Sequence, residues 1–427
     1  MRGRANRKGS YLVILGGPGM TCPAVEHLES HGYNCLVLDR NPDAPAGRKA
    51  SRFINVDFGQ VDAARAALAD IEVAGVIATN DFGVRTAASL VTDRKLPGYS
   101  PAMAHALTNK AVMNQVVSMA NVPTAPFIVT RKSDVLEGHL PAWSEFPCVV
   151  KPAYSGGGSR GVGIARMPQD IIRIVERDAA CYLDEEVVIE RFLFGTEHTV
   201  EVLVVDGDPF VLSISDKQNY PGNATIVQNL YFPGPVGHRY RDGIVHIVQN
   251  LCRALRLSRG ALHMEVIVQN GQPFFIEIGG RPGGGLNWHP ICRISTGYDY
   301  SRLLADCLTG RAPEFNRGTT SHLAWHYFPK NEGIVRSVSG FEALSSETDV
   351  VACEFYEAVG KPAQDLRNDL ARPGFVLVRG STHEAARDRA QTLCRQVRID
   401  VEPGQRSCVQ ESAFTAVPIG KMENTER

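Results

Sequence analysis

The chain is 427 residues long, 44% hydrophobic and 21% charged, with a formal net charge of -1. That length supports roughly two to four domains, and the near-neutral charge offers no electrostatic case for nucleic acid or an anionic membrane as main partner. Ten scattered cysteines without a Cys-x-x-Cys pair indicate neither a cysteine zinc site nor a disulfide framework and fit a reducing cytoplasm, and no stretch approaches the ~20 apolar residues that cross a bilayer.

The basic start, Met1 to Ser10, reads as a disordered tail. The apolar run Tyr11 to Leu15 behind it is too short for a signal-peptide core. From there to about residue 100, short β-rich runs (YLVIL, NCLVLD, FINVD, GVIATN) alternate with helical ones (CPAVEHLES, VDAARAALADI, VRTAASLVTD). Such alternation predicts a parallel sheet with helices on both faces. Gly16-Gly17-Pro18-Gly19 ends the first strand and Asp39 the second, which invites a dinucleotide site, but the third glycine of that fingerprint is missing. The turn either lets the next helix dock or helps to hold a small substrate at the carboxyl end of the sheet.

A helical run from Pro101 to Val117 carries Lys110, and Pro123 and Pro126 mark a linker behind it. Phe146 to Pro152 is a strand ending in Lys151, followed by a run with Ser155, Gly156, Gly157, Gly158, Ser159 and Gly161. Glycines in that number expose a row of backbone N–H groups that can wrap a phosphate, and a lysine beside them adds a point charge. The lysine precedes the glycines, so this is no Walker A loop; the alternative is a flexible surface hairpin. Glu186 to Val205 reads as two strands joined by a bend, continuing over Asp206-Gly207-Asp208 into Phe210 to Ile214, with Glu190 interrupting an apolar run. Asp216 to Gly222 reads as a polar loop, and Ile244 to Leu255 as an amphipathic helix.

Met264 to Val268 and Phe274 to Ile278 flank Asn270-Gly271, a hairpin signal. Glu265 and Glu277 sit inside those strands, where a carboxylate is either solvated on the open face or has a partner that offsets its desolvation. Two facing carboxylates with a hard cation between them suggest Mg²⁺ and nucleotide phosphates. Arg281 and glycines at 279, 280, 283, 284 and 285 follow, a run that lets backbone and one guanidinium approach an anion. A helix from Ser301 to Leu308 comes next. The last hundred residues, with strands at 322–327 and 374–378 and a helix over 383–397, form a small α+β lobe.

In this order the pieces resemble the ATP-grasp superfamily, whose members join a carboxylate to an amine or similar nucleophile through an acyl phosphate. The resemblance covers about residues 10 to 400. It implies an α/β ATP-grasp fold: a Rossmann-like N-terminal domain over 11–108, a split α+β grasp domain over 109–313, a C-terminal lobe over 314–410 and a flexible tail over 411–427. The implied cofactors are ATP and Mg²⁺, with Mn²⁺ as a substitute. Lys110 and Lys151 are similar to the family's two nucleotide lysines, Lys151 also serving catalysis, and the loop from Ser155 to Gly161 to its phosphate lid. Glu190-Arg191-Phe192-Leu193 resembles the hinge that meets adenine, Glu190 through its side chain and Arg191 and Leu193 through nearby backbone. Glu197 matches the ribose glutamate, and Lys217 joins the nucleotide set. Glu265 and Glu277 match the metal ligands, and Arg281 the catalytic arginine that steadies phosphoryl and acyl oxygens.

One position departs from the pattern: Gly279 stands where many members carry a metal-binding asparagine. The L-amino-acid ligase branch is similar in lacking that asparagine, and also at Asp216-Lys217, at His263-x-Glu265 and in the C-terminal lobe. That likeness implies a dipeptide-forming ligase with His263, Arg281, Gly284 and Gly285 toward the substrate. The partners expected are a small-molecule carboxylate and amine, with no nucleic acid and no membrane, and with a homodimer as an option. Two rivals stand beside this reading: a formate- or bicarbonate-using ATP-grasp enzyme of the purine or biotin type, and a non-catalytic ATP-binding module.

Overall fold

The computed structural model describes residues 9–329, 332–363 and 365–402. The expected tail over 411–427, and all but the last two residues of the one over 1–10, lie outside them. The first unit alternates strand and helix: β1 (Tyr11–Leu15), α1 (Cys22–Ser30), β2 (Cys35–Asp39), β3 (Arg52–Asn55), α2 (Val61–Ala67), β4 (Val73–Ala78) and α3 (Asp81–Arg94). Its sheet is parallel in the order β3-β2-β1-β4. The runs that read as strands do so because helices cover both faces. Leu12 and Ile14 face one core with Leu28 of α1, while Val13 and Leu15 face another with Leu90 and Val91 of α3. Asp39 is occupied by backbone: Oδ2 accepts from Gly17 N at 2.7 Å and Oδ1 from Asn41 N at 2.8 Å. The carboxylate thereby fixes the Gly16–Gly19 turn.

Helices α4 (Pro101–Ala106) and α5 (Lys110–Met119) lead to a second, four-stranded antiparallel sheet. Its elements are β5 (Phe127–Arg131), α6 (Lys132–Leu136), β6 (Cys148–Pro152), β7 (Gly163–Ala165), α7 (Pro168–Arg177) and β8 (Glu186–Arg191), with strand order β5-β8-β6-β7. Ile171, Ile174 and Val175 of α7 pack on Val150, Val187 and Ile189 beneath this sheet.

The chain then builds a long antiparallel sheet from β9 (Thr196–Val205), β10 (Asp208–Asn219), β11 (Val227–Phe232), β12 (Gly260–Gln269) and β13 (Gln272–Gly279). Short α8 (Pro235–Arg239) and α9 (Arg241–Ala254) precede β12, and α10 (Ile291–Thr296) and α11 (Tyr300–Leu308) follow β13. The C-terminal residues add β14 (His322–Tyr327), β15 (Ile334–Ser339), β16 (Val350–Phe355), β17 (Gly374–Gly380), α12 (His383–Gln396) and β18 (Arg398–Glu402). Strands β14, β17 and β16 extend the same sheet, in the order β13-β12-β9-β10-β11-β14-β17-β16. The C-terminal lobe therefore shares main-chain hydrogen bonds with the strands before it.

One expectation is corrected here. Asp216 to Asn219 are not loop but the end of β10, paired with β9 and β11. Polar composition misled because this strand lines a polar cleft, so its outward side chains need not be apolar. Among the described residues no helix is long and apolar enough to cross a membrane.

Candidate active site

Around β9, β10, β12 and β13 the long sheet packs one face on an apolar core and turns part of the other into a polar surface, and strand periodicity decides which residue goes where. On β12, Met264, Val266 and Val268 are buried, the first two in one core with Ile244, Ile247 and Val248 of α9, while His263, Glu265 and Ile267 alternate toward the other side. On β9, Val200, Val202 and Val204 share that core, which leaves Glu197, Thr199 and Glu201 facing outward. The register then sets Glu201 opposite His263, Thr199 opposite Glu265, and Glu265 opposite Glu277. Lys217 of β10 lies opposite Glu197. Four strands thus gather three glutamates, a histidine, a lysine and a further glutamate on one surface.

These groups bind one another. Lys217 Nζ donates to Glu197 and, at 3.1 Å, to Glu265 Oε1. His263 Nδ1 lies 2.7 Å from Glu201 Oε1, and Glu201 Oε2 accepts from Gly283 N at 2.9 Å. Burial alone would lower the His263 pKa, but the charge and hydrogen bond of Glu201, aided by Glu265, raise it to about 9. Burial would raise Glu265; Lys217 and His263 outweigh it and hold that carboxylate far below its usual range. The surface is therefore charged at neutral pH.

The second sheet faces this surface with another pair. Lys151 on β6 and Glu190 on β8 are both buried and bonded at 2.6 Å, and Asn114 of α5 donates to Glu190 at 3.3 Å. Lys110 opens α5, with Asn109 as N-cap, and its own N–H donates to Ala153 O at 2.8 Å. Its Nζ lies 3.1 Å from Glu277 Oε1. That ion pair joins the N-terminal end of α5 to the polar face of the long sheet.

The loop expected to cover phosphates lies against the N-terminal unit. Gly157 has φ +83°, and a Cβ there would fall 2.4 Å from Asp81 Oδ2, so only glycine fits so close an approach. Asp81, the first residue of α3, accepts from Arg281 Nε at 2.6 Å and Nη2 at 3.3 Å. Gly158 O accepts from Asp369 N at 3.1 Å, so the loop also touches the C-terminal residues. Gly279 is crowded from the same side: a Cβ there would meet Asp81 Oδ1 at 3.3 Å. The side chain that an asparagine would supply at 279 is thus replaced in space by a carboxylate from another unit.

The sequence matches the ATP-grasp domain family over residues 144–289 and the L-amino acid ligase C-terminal domain 2 over 326–402. The chain therefore carries an ATP-grasp domain followed by an L-amino acid ligase C-terminal domain. It is 24% identical over 284 residues to dapdiamide A synthase of Enterobacter agglomerans, covering 63% of this chain and 66% of that protein. It is also 24% identical over 400 residues to a formate-dependent phosphoribosylglycinamide formyltransferase of Burkholderia thailandensis, covering 91% and 95%. The L-amino acid ligase from Bacillus licheniformis superposes with a TM-score of 0.78 at 20% identity, over 92% of this chain and 99% of that one. The expected α/β ATP-grasp fold is what the chain adopts.

Within this ATP-grasp chain, Lys110, Lys151, Glu190, Glu197, Lys217, His263, Glu265, Glu277 and Arg281 all lie on the two facing surfaces or in the ion pairs that join them. The hinge behaves differently. The Glu190 carboxylate, expected to meet adenine, is bonded to Lys151 and Asn114, and Phe192 N donates to Pro147 O at 3.1 Å. Leu193 is buried, while Arg191, Phe192 and Phe194 line a groove with Glu145, Pro147 and Gln269. Gly284 has nothing near its missing Cβ, whereas a Cβ on Gly285 would lie 2.5 Å from Met20 Sδ. Sequence reasoning missed Asp81, Glu201 and Asn114. Glu201 could have been found by period-2 spacing from Glu197; Asp81 and Asn114 carry no local signal, since their partners are 200 and 76 residues away.

Proposed function

We propose that this protein joins the carboxyl group of an amino acid, or a related acid, to an amine through an acyl phosphate, forming ADP and phosphate. The observation that carries the reading is the ion pair of Lys110 with Glu277, which faces Glu265 across β12 and β13, beside buried cations Lys151, paired with Glu190, and Arg281, paired with Asp81. Phosphoryl transfer to a carboxylate asks little covalent chemistry of a protein; it needs alignment and neutralisation of charge on the phosphate oxygens.

Glu265 and Glu277 are carboxylate oxygen donors on one strand pair, the chemistry a hard divalent cation prefers, so they fit Mg²⁺ and would hold it. The ion would supply charge neutralisation at the phosphates. Lys151 and Lys110 would bind phosphate oxygens as point charges. The loop from Ser155 to Gly161 would close over them and exclude water from the acyl phosphate. Arg281 would orient the acyl oxygens, and His263, Gly284 and Gly285 would border the substrate. The match over 326–402 favours an amino acid as the acid, and the nine described free cysteines fit a cytoplasmic setting. The coverage of the formyltransferase match supports a second reading, in which formate is the acid.

The reaction is tested with ¹⁸O-labelled carboxylate substrates, screened as amino-acid pairs and as formate, with ATP and Mg²⁺. Label in inorganic phosphate alongside ADP is expected, because amine attack leaves the bridging oxygen on the departing phosphate. Label in AMP with pyrophosphate would overturn the acyl-phosphate route, ATP binding without turnover on any acid would support a binding module, and turnover on formate alone would select the second reading.

A further inference from the structure

Away from the cleft, α1 and the start of α11 bring together three metal-ligating side chains that the ligase reaction does not use. His27 lies in the last turn of α1 and His31, four residues on, is the residue that caps its C-terminal end. His27 Nε2 lies 2.8 Å from Asp299 Oδ2, and one ligand atom each from His27, His31 and Asp299 fall within 4.8 Å of one another. We propose that these residues form a binding site for a borderline divalent transition ion of the Zn²⁺ class, clamping the first helix of the N-terminal unit to the helices behind the Arg281 loop.

His31 and Asp299 are held from behind by hydrogen bonds, which is how protein metal sites orient their donors, and the His27 ring is held by stacking. The His31 ring is fixed by Nδ1, 2.7 Å from the carbonyl of His27 and 3.1 Å from Ser30 Oγ. Asp299 Oδ1 caps α11, accepting from Arg302 N at 3.3 Å and from Ser301 Oγ at 3.1 Å, which leaves Oδ2 for the cluster. His289 stacks on His27 with ring centroids 4.2 Å apart and approaches Ser301 Oγ at 3.4 Å.

The donor set selects the ion. Two imidazoles and one carboxylate suit Zn²⁺, Co²⁺ or Ni²⁺, whereas Mg²⁺ demands oxygen. Three protein ligands leave coordination positions for water, and His31 is exposed, so an ion can enter from solvent. Binding replaces the His27 to Asp299 hydrogen bond with two metal bonds, and the neutral His27 ring then carries its proton on Nδ1. The clamp joins α1, which follows the Gly16–Gly19 turn, to α11, whose Leu303 and Leu304 already pack in the core with Leu28.

The test uses the full chain, free of any affinity tag and stripped with chelator, titrated with Zn²⁺ by calorimetry in excess Mg²⁺. Wild type and Glu277→Gln should each bind one equivalent, and Zn²⁺ should raise their melting temperature. His31→Ala, on an exposed position, should weaken Zn²⁺ binding at least tenfold and abolish the melting shift. Asp299→Asn, which keeps an N-cap acceptor, should do the same. Equal Zn²⁺ affinity in wild type and His31→Ala would overturn the site, as would loss of the equivalent in Glu277→Gln alone or no binding by wild type.

Discussion

Asp81 and Arg281, two hundred positions apart, meet as a buried ion pair at 2.6 Å. The contact ties the first turn of α3 to the loop after β13, beside Gly157. Burial would raise the Asp81 pKa, but Arg281, with Lys110 and His263 behind it, lowers it. A depressed carboxylate contributes stability above its unfolded pKa and loses it as pH falls through the folded value. Removing one partner leaves the other charged and buried, which costs on the order of 3–5 kcal/mol. Asp81→Ala should therefore lower the unfolding free energy obtained from urea titration by that amount at pH 7, with a lower midpoint. An unchanged midpoint would mean that the guanidinium finds other acceptors.

Glu277→Gln should keep the fold and lose about 10²-fold or more in turnover, the usual effect of deleting one aligned electrostatic group. The amide preserves shape beside Lys110 but not charge. ATP turnover and melting, measured on the same preparation, decide it: a stable variant with near-wild-type turnover would remove this hairpin from the reaction.

Lys151→Ala should weaken ATP binding at least tenfold, because it removes a point charge and leaves Glu190 buried without its cation. Gly17→Ala should leave the ATP affinity of the folded protein unchanged, although its new Cβ would fall 2.8 Å from Val37 Cγ1 and lower stability. Calorimetric titration with ATP separates the two effects. Loss of nucleotide affinity in both variants would point to a site at the first sheet.

The His263 pair sets a limit on the alkaline side. A histidine raised from 6.5 to about 9 contributes stability that is fully present below its unfolded pKa and is lost as pH rises through about 9. Wild type should lose its advantage over His263→Gln between about pH 7 and 10. Urea unfolding across that window measures the difference, and parallel curves would show that Glu201 does not hold the proton there.

Limited proteolysis should cut between Ser155 and Gly163 in the free protein, and an ATP analogue with Mg²⁺ should suppress the cut. Phosphate contacts would remove the conformations that a protease needs. Cleavage at equal rates with and without nucleotide would mark the segment as an ordinary surface loop.

The sequence alone determined what depends on short-range pattern. Strand and helix periods, the Asn270-Gly271 turn, the glycine-rich loop after Lys151, and Glu265 and Glu277 inside apolar strands were legible because each is a local departure from, or agreement with, a repeat of two or 3.6 residues. The same reasoning failed at Asp216 to Asn219, where a strand lines a polar cleft and composition no longer distinguishes it from loop. Only the tertiary structure decided which distant charges meet: Asp81 with Arg281, Asn114 and Lys151 with Glu190, His263 with Glu201, and Lys110 with Glu277. A charged side chain carries no mark of its partner in its own neighbourhood. Its burial is tolerable only once another part of the fold brings up the opposite charge, and that pairing is fixed by strand register and domain packing.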